Sequence, residues 1–321
     1  MKTLRRFLPR AAAAALVVAA CAAALPAWAQ LRTPRPSQKA SVMQTIGVTD
    51  VTITYSRPGV KGRTIWGDPP AGAPAGTATL DDGRSRPKDA VIVPYGHVWR
   101  AGANEATQFV VTDDVLVNGQ PLKAGTYSLH AIPGRDEWTI IFNSDAGQWG
   151  SFTYDEKKDV LRVKTKPQTT PDSQEWLAYQ IEPVGENSAR VNIRWEKLTV
   201  PFTVEVKDVK ALTFEKMRAT VAAAKPDDWQ TPLQAANYVF NNNMTANHEE
   251  AMQWLEKSLK TKETFGNLYT KARVLAGTGK TADAVATAEK ALQIGKAPNS
   301  GVNPNTIADL EKRLADWKSK Q

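Results

Sequence analysis

The chain has 321 residues with a formal net charge of +8 at neutral pH, and 42% of its residues are hydrophobic. This length corresponds to about two ordinary domains. The Lys and Arg residues are spread along the chain, so nucleic-acid binding is not indicated. After the N-terminus, no segment is long and apolar enough to predict a transmembrane span.

The N-terminus has the pattern of a secretory signal peptide. Four basic residues precede an apolar run from Ala11 to Leu25, and Pro26 then breaks the run before a small-x-small site that ends at Ala29. We therefore predict a signal peptide over residues 1–29 and a periplasmic protein that begins at Gln30. A lipoprotein anchored at Cys21 is the alternative, because "VAAC" loosely resembles a lipid-attachment box.

Cleavage at this site would change both the size and the chemistry of the chain. It would leave 321 − 29 = 292 residues, and the charge would fall from +8 to +4 because four basic residues and no acidic ones are lost. It would also remove the single cysteine. The exported chain would then have no disulfide, although its destination is oxidising.

After a predicted flexible leader over residues 30–40, the chain up to about Val206 has the pattern of β-strands. Val51, Ile53 and Tyr55 alternate with threonines, which is the period-2 pattern of a half-buried strand. Residues 117–125 and 184–187 are predicted hairpin turns. Further strands are predicted at 107–112, 126–132, 137–143, 159–165, 175–183, 189–195 and 201–206. Many short strands without intervening helices favour an antiparallel β-sandwich over residues 41–208.

One segment interrupts this pattern. Residues 68–90 are rich in Pro, Gly, Ala and charge, a composition that buries little apolar surface. We predict an inserted, mobile surface loop. A flap over a site is the alternative, because both flanks carry polar clusters.

From about Thr213 the hydrophobic period becomes helical. Residues 248–259 and 281–292 match each other at an offset of 284 − 251 = 33 residues, close to the length of a tetratricopeptide repeat. Gly279 stands where such repeats turn, and residues 305–317 predict a capping helix. We therefore predict an α+β multidomain fold, in which the sandwich is followed by a short all-α tetratricopeptide-like domain over residues 213–321. A plain helical bundle is the alternative for this half.

Four sequence segments are more specific indicators of a family than any hydrophobic periodicity. The β half resembles the bacterial family known as domain of unknown function 2911 over about residues 36–206, and the long insertion after "IWG" departs from that pattern. The resemblance implies an exported bacterial protein, sometimes with tetratricopeptide-like repeats behind the β domain, and it implies no activity. The segments are "ITYSRPGVKGRTIWG", "VPYGHVWRAGANEAT", "LKAGTYSLHAIPGRDEWTIIFN" and "QWGSFTYDEKKDVLRVK".

Motifs for catalysis and for cofactors are scarce. A zinc site needs three or four suitably placed His, Cys or carboxylate ligands, and the three histidines of the chain do not predict one. His248 is expected on the solvated surface at the start of a helix. There is no G-x-S-x-G elbow, no P-loop and no dinucleotide-binding glycine pattern. We therefore predict no metal and no cofactor.

Two clusters combine basic and aromatic side chains. Guanidinium groups bind carboxylates or phosphates, and Trp and Tyr provide flat stacking faces. Such clusters suit a glycan, an anionic lipid head group or a peptide terminus. An internal tie between Arg100 and Glu105 is the competing interpretation, and Trp138, Trp149 and Trp195 are expected in the core. The candidate ligand-binding residues are Tyr55, Arg57, Lys61, Arg63, His97, Trp99, Arg100, Asn104, Glu105 and His130.

These patterns predict a non-catalytic binding or scaffolding protein of the cell envelope. The helical repeats would offer a concave surface to a protein partner. The alternative is a hydrolase or isomerase that acts on an envelope carbohydrate or lipid, with Glu105 and either His97 or His130 as its acid and base.

Overall fold

The computed structural model describes residues 33–69, 79–81 and 89–320. A β-rich region over residues 38–205 is followed by helices between residues 209 and 318, so the chain has an α+β fold. The predicted signal peptide with Cys21, residues 30–32 of the leader and most of the predicted insertion lie outside the described residues. Within those described, no helix has the length and apolar character needed to span a membrane.

The β region contains two larger sheets. The strands are β1 Gln38–Ile46, β2 Thr49–Arg57, β3 Trp66–Gly67, β4 Val93–Pro94, β5 Thr107–Val111, β6 Val115–Val117, β7 Gln120–Leu122, β8 Gly125–Ile132, β9 Trp138–Asn143, β10 Asp159–Thr165, β11 Gln168–Pro183 and β12 Ser188–Glu205. One sheet has the order β1-β2-β5-β8-β9-β10, and the other has the order β11-β12-β6-β7. A short parallel pair joins β3 to β4.

Most predicted strands correspond to observed strands within one or two residues, but β11 begins at Gln168, seven residues before the predicted start at 175. The predicted strands at 189–195 and 201–206 are parts of one long strand, β12. The predicted turn at 184–187 connects β11 to β12. The predicted turn at 117–125 contains the short strand β7, and the chain reverses at Asn118 and Gly119, which both have positive φ.

The predicted leader is attached to the β region over its described residues. Strand β1 begins at Gln38 and pairs with β2 in antiparallel register, Gln38 opposite Arg57. Just before β1, the carbonyl oxygen of Ser37 accepts a hydrogen bond of 3.1 Å from Asn104. A flexible leader up to residue 40 is therefore wrong for Gln38 to Ala40, because these residues are already paired in the sheet.

Residues 79–81, in the middle of the predicted insertion, pack against the β region. Thr79 forms a parallel bridge with Val98, and the amide of Leu80 donates to the Val98 carbonyl oxygen. The carboxylate of Asp81 pairs with Arg100 and accepts a hydrogen bond of 2.6 Å from the Ser151 amide. Residues 79–81 thus tie the insertion to the β region, and the prediction of a free loop is wrong for them.

A single hydrophobic core receives side chains from both larger sheets. It includes Trp99, Trp138 and Trp195, and the partly buried Trp66 packs against it. Trp66 and Trp99 each contact the other three tryptophans, with ring centroids 5.0 to 6.3 Å apart. Burial of Trp138 and Trp195 confirms two of the three predicted core tryptophans. The third prediction is wrong, since Trp149 is 52% exposed.

The helical region begins at α1, four residues before the predicted start. The helices are α1 Val209–Ala223, α2 Gln230–Asn241, α3 His248–Thr261, α4 Phe265–Gly277, α5 Thr281–Gly295 and α6 Pro304–Lys318. Asp208 caps α1 by accepting from the Ala211 amide, and Lys216 of α1 donates to the Val48 carbonyl oxygen of the β region. Helix α1 therefore connects the two halves.

The two similar helical segments occupy comparable environments. Ala251 of α3 and Ala284 of α5 are fully buried, and Leu259 and Leu292 are similarly buried. Between α4 and α5 the chain turns at Gly279, whose φ is +78°. Their helical structure is as predicted. At the start of α3, however, His248 is not a free surface residue, because its ring packs 5.3 Å from that of Phe240 and its Nε2 is buried.

Candidate functional site

The loop between β4 and β5 folds back on itself and on two neighbouring segments. Gly96, Ala101 and Asn104 have positive φ, so the loop changes direction at each of them. The indole of Trp99 donates to the Gly102 carbonyl oxygen at 3.1 Å. Backbone bridges join Trp99 to Ala131 and Glu105 to Trp149. Trp99, predicted as a ligand-binding residue, is only 3% exposed and belongs to the core.

Arg100 and Glu105 have different partners from those predicted. Arg100 pairs with Asp81 and donates to the Asn104 carbonyl oxygen at 2.8 Å. Glu105 pairs with Arg35 at 2.7 Å. The predicted tie between Arg100 and Glu105 is therefore wrong, because the positive φ at Ala101 and Asn104 turns the loop between them. The Arg100 pair is largely buried, with side chains 16% and 10% exposed, so it stabilises the loop from inside.

Glu105 lies at the edge of a more open region. Its side chain is 41% exposed. Burial tends to raise its pKa, but Arg35 and Lys39 more than offset this effect and hold the pKa below its ordinary value. Glu105 is therefore a carboxylate at neutral pH. The guanidinium of Arg35 also lies 5.5 Å from the ring centre of Trp149.

Neither imidazole of the β region is placed for acid–base work with Glu105. His130 is fully buried, and its ring nitrogens contact the hydroxyls of Ser128 at 3.1 Å and Ser151 at 3.4 Å. Burial lowers the pKa of His130 to about 4, so the ring is neutral. His97 is 1% exposed, and its Nδ1 donates to the Tyr95 carbonyl oxygen. Neither His97 nor His130 forms a described hydrogen bond with Glu105, and no group of described residues could hold a metal ion.

The basic cluster after β2 is largely occupied by backbone contacts. Arg57 donates to the Leu177 carbonyl oxygen at 2.8 Å, and Arg63 donates to the carbonyl oxygens of Gly59 and Val60. The ammonium of Lys61 lies 5.6 Å from the ring centre of Trp176. These predicted ligand-binding residues therefore fix the turn after β2 against β11.

The remaining candidates line two different cavities. The larger, of about 350 Å³, contains Arg63, Trp99, Arg100 and Asn104 in its wall. The smaller, of about 130 Å³, lies where β1, β2, the start of β5 and the loop after β9 meet. We call it the Glu105 cavity; its wall is formed by Lys39, Thr54, Tyr55, Ser56, Glu105, Ala106, Gln108, Ala146, Gly147 and Gln148.

The two cavities differ in whether the polar side chains of their walls have hydrogen-bond partners within the chain. In the larger one, Arg63, Arg100 and Asn104 already donate to partners within the chain. In the Glu105 cavity, the Oε1 atom of Gln148 is buried and has no hydrogen-bond partner among the described residues. A buried acceptor without a partner is costly, and this atom is buried beyond the reach of a water-sized molecule.

The orientation of the Gln148 amide is fixed by its neighbours. Its nitrogen donates to the Asp145 carbonyl oxygen at 3.1 Å, and it lies 3.3 Å from the Ser128 hydroxyl. A carbonyl oxygen can only accept, so the amide nitrogen must face it and Oε1 must be the unpartnered atom. Gln148 is 7% exposed, which makes Oε1 a positioned acceptor.

Sequence reasoning found Glu105 and Tyr55 but missed Gln148, Lys39 and Gln108. Gln148 is a neutral amide in a Gly-rich loop, and no sequence pattern indicates that such a residue lines a cavity. Trp149, which was assigned to the core, is 52% exposed, and Phe152 is 57% exposed.

Comparison with known families and proteins gives one match. The family model described as "Protein of unknown function (DUF2911)" matches residues 37–204. This range contains both cavities and all ten predicted ligand-binding residues. No curated protein and no solved structure matches the chain.

Proposed function

The chain belongs to the DUF2911 family of proteins of unknown function, and we propose that it is an exported, non-catalytic binding protein of the bacterial cell envelope. Its ligand site is the Glu105 cavity. The observation that supports this proposal is that one concave wall brings together the charged side chains of Lys39 and Glu105 and the amides of Gln108 and Gln148. A concave site into which a small number of polar groups converge is typical of ligand binding.

A hydrolase or isomerase has less support. Such an enzyme would use Glu105 with His97 or His130, and a catalytic base must reach its substrate proton within hydrogen-bond distance. Both imidazoles are almost fully buried and contact groups of the chain itself. The low pKa of His130 also follows from burial, which structural histidines share.

An exposed aromatic side chain follows the cavity wall in the chain. Trp149 comes directly after Gln148, forms a backbone bridge with Glu105 and is 52% exposed. We propose that Trp149 contacts the part of a ligand that does not enter the cavity.

We further propose that the two sheets form a β-sandwich and that the helices are tetratricopeptide-like repeats that bind a protein partner. Support for the sandwich comes from the single core that receives side chains from both sheets. Support for the repeats comes from the equal burial of matched positions in α3 and α5. The predicted signal peptide over residues 1–29 supports a periplasmic location, with a Cys21-anchored lipoprotein as the alternative.

Equilibrium dialysis tests the ligand site. The full chain is dialysed against a bacterial periplasmic extract, and mass spectrometry identifies the small molecules that it retains. We expect a retained species, and we expect about tenfold weaker retention by Glu105→Gln, since a charge-assisted hydrogen bond contributes about 1.5–3 kcal/mol. Glu105 is partly exposed, so this variant should fold normally.

Glu137→Gln is the matched control. Glu137 is also a partly exposed carboxylate of the β region, and it pairs with Lys164 rather than lining the cavity. The control should retain the species like the unchanged chain. No retained species, or equal loss in both variants, would contradict a ligand site at Glu105.

A further inference from the structure

The residues just before β1 lie against Glu105 and the loop that follows β9. Arg35 pairs with Glu105 Oε1 at 2.7 Å, and its guanidinium lies 5.5 Å from the ring centre of Trp149. Two residues later, the Ser37 carbonyl oxygen accepts a hydrogen bond of 3.1 Å from the Asn104 side chain. The leader thus places a guanidinium and a backbone carbonyl on Asn104, Glu105 and Trp149, which we call the guanidinium site.

We propose that the guanidinium site binds an arginine residue of an extended peptide, and that Arg35 occupies the site until such a peptide displaces it. This inference rests on the proposed binding function, because Glu105 belongs to the wall of the proposed ligand site. It names the part of the ligand that Glu105 and Trp149 hold, and the contact within the chain that controls access to them.

The chemistry of the site matches a guanidinium. Glu105 is a carboxylate at neutral pH, because Arg35 and Lys39 hold its pKa below the ordinary value in spite of partial burial. A guanidinium forms charge-assisted hydrogen bonds with a carboxylate and also stacks on an aromatic face. A cation within about 6 Å of the centre of a Trp ring is attracted to that ring. An anionic group in the same place would be repelled by Glu105, and an ammonium would lack the flat face that stacks on an indole.

The occupant of the site is itself part of a peptide, which favours a peptide over an isolated cation. Arg35 stands between Pro34 and Pro36, and a residue that precedes proline favours an extended backbone. The side chain of Asn104 binds the backbone two residues after the arginine. An Arg-Pro-X segment of another chain would present the same guanidinium and the same carbonyl at the same spacing.

The leader can be displaced because its contacts are exposed to solvent. The side chains of Arg35 and Glu105 are 51% and 41% exposed, and Trp149 is 52% exposed. Exposed ion pairs and exposed cation–π contacts each stabilise a structure only slightly. The pair of Arg100 with Asp81 differs in this respect, since its side chains are 16% and 10% exposed. A competing peptide can therefore reach the guanidinium site, whereas the buried pair stays closed.

NMR titration of the full chain carrying Arg35→Ala tests the inference, with a peptide of residues 33–37 that is acetylated and amidated at its ends. The indole N–H signal of Trp149, assigned by its absence from Trp149→Phe, reports on the site. We expect the peptide to shift this signal saturably. The same peptide with neutral citrulline in place of arginine should bind at least about fivefold more weakly. The chain with Arg35 intact should bind the arginine peptide about threefold to tenfold more weakly than Arg35→Ala, since its own Arg35 competes.

Arg135→Ala is the matched control. Arg135 also pairs with a carboxylate, that of Asp68, and its guanidinium lies 5.3 Å from the ring centre of Tyr95, but it is not in contact with the guanidinium site. This variant should bind the peptide like the unchanged chain. Glu105→Gln added to Arg35→Ala should weaken peptide binding about fivefold, because it removes the carboxylate that pairs with the arginine.

Four outcomes would overturn the inference: no shift of the Trp149 signal in Arg35→Ala, binding of the citrulline peptide as tight as that of the arginine peptide, equal binding by Arg35→Ala and the unchanged chain, or binding of free L-arginine as tight as that of the peptide. Dialysis separates this failure from failure of the proposed function. If the chain retains a species that depends on Glu105 and Arg35→Ala retains less of it, Arg35 helps to bind the ligand and only this inference is wrong. If nothing is retained and the peptide does not bind, both proposals fail.

Discussion

Replacing Asp81 with alanine should lower the free energy of unfolding by about 3–5 kcal/mol, the usual cost of removing one partner of a buried ion pair. The substitution would leave the guanidinium of Arg100, whose side chain is 16% exposed, without its carboxylate. It would also leave the Ser151 amide without its acceptor. Urea unfolding of the variant measures the change.

Arg100→Ala should lower the free energy of unfolding by a similar amount, because it removes the other partner of the same ion pair and leaves the carboxylate of Asp81 unpaired. The double variant should cost less than the sum of the single variants, because the two residues share one interaction. Arg35→Ala is the control: its pair with Glu105 has side chains 51% and 41% exposed, and such a pair contributes less than about 1 kcal/mol. A near-zero cost for Asp81→Ala would contradict the attachment of the insertion through this pair.

The stability of the chain should also fall on mild acidification because of His130. The pKa of His130 is lowered to about 4 in the fold, against 6.5 for an ordinary histidine. Burial is the main cause; Arg100 adds to it, while Asp159 and Asp145 act in the opposite direction. The unfolded chain therefore binds a proton at a higher pH than the folded chain, and stability falls as the pH drops below 6.5.

The expected loss is about 2 kcal/mol between pH 7 and pH 5 and about 3 kcal/mol by pH 4, from the linkage between proton binding and folding. Urea unfolding at several pH values measures it. His130→Gln removes the titrating ring, so its stability should change less over the range from pH 7 to pH 5, where ordinary carboxylates stay ionised. An equal pH dependence in the variant would show that His130 is not the cause.

Much of the β region could be predicted from local alternation, but its edge could not. Strand β1 was missed because Ile46 is its one buried residue and Ala40 and Val42 are only partly buried among polar residues. The helices were predicted well, since their apolar period depends on neighbours within one element. The packed part of the insertion was missed because its contacts with Val98 and Arg100 are not encoded in its own composition.

The candidate site shows the same division. Because Glu105 is close to Arg100 in the chain, it was expected to be the partner of Arg100. Two residues with positive φ lie between them, and Arg100 instead pairs with Asp81, nineteen residues earlier in the chain. The Glu105 cavity forms where separate segments meet, so no single stretch of sequence indicates it. Gln148 is a binding candidate only because the fold places it in the wall of this cavity.

A crystal structure of the chain, grown with the species retained in dialysis, tests the central claim most directly. The claim is that the Glu105 cavity binds a ligand. We expect density for a non-water molecule in the cavity, with one of its atoms within about 3.2 Å of a side-chain nitrogen or oxygen of Glu105 or Lys39. A cavity that contains only water would contradict the claim.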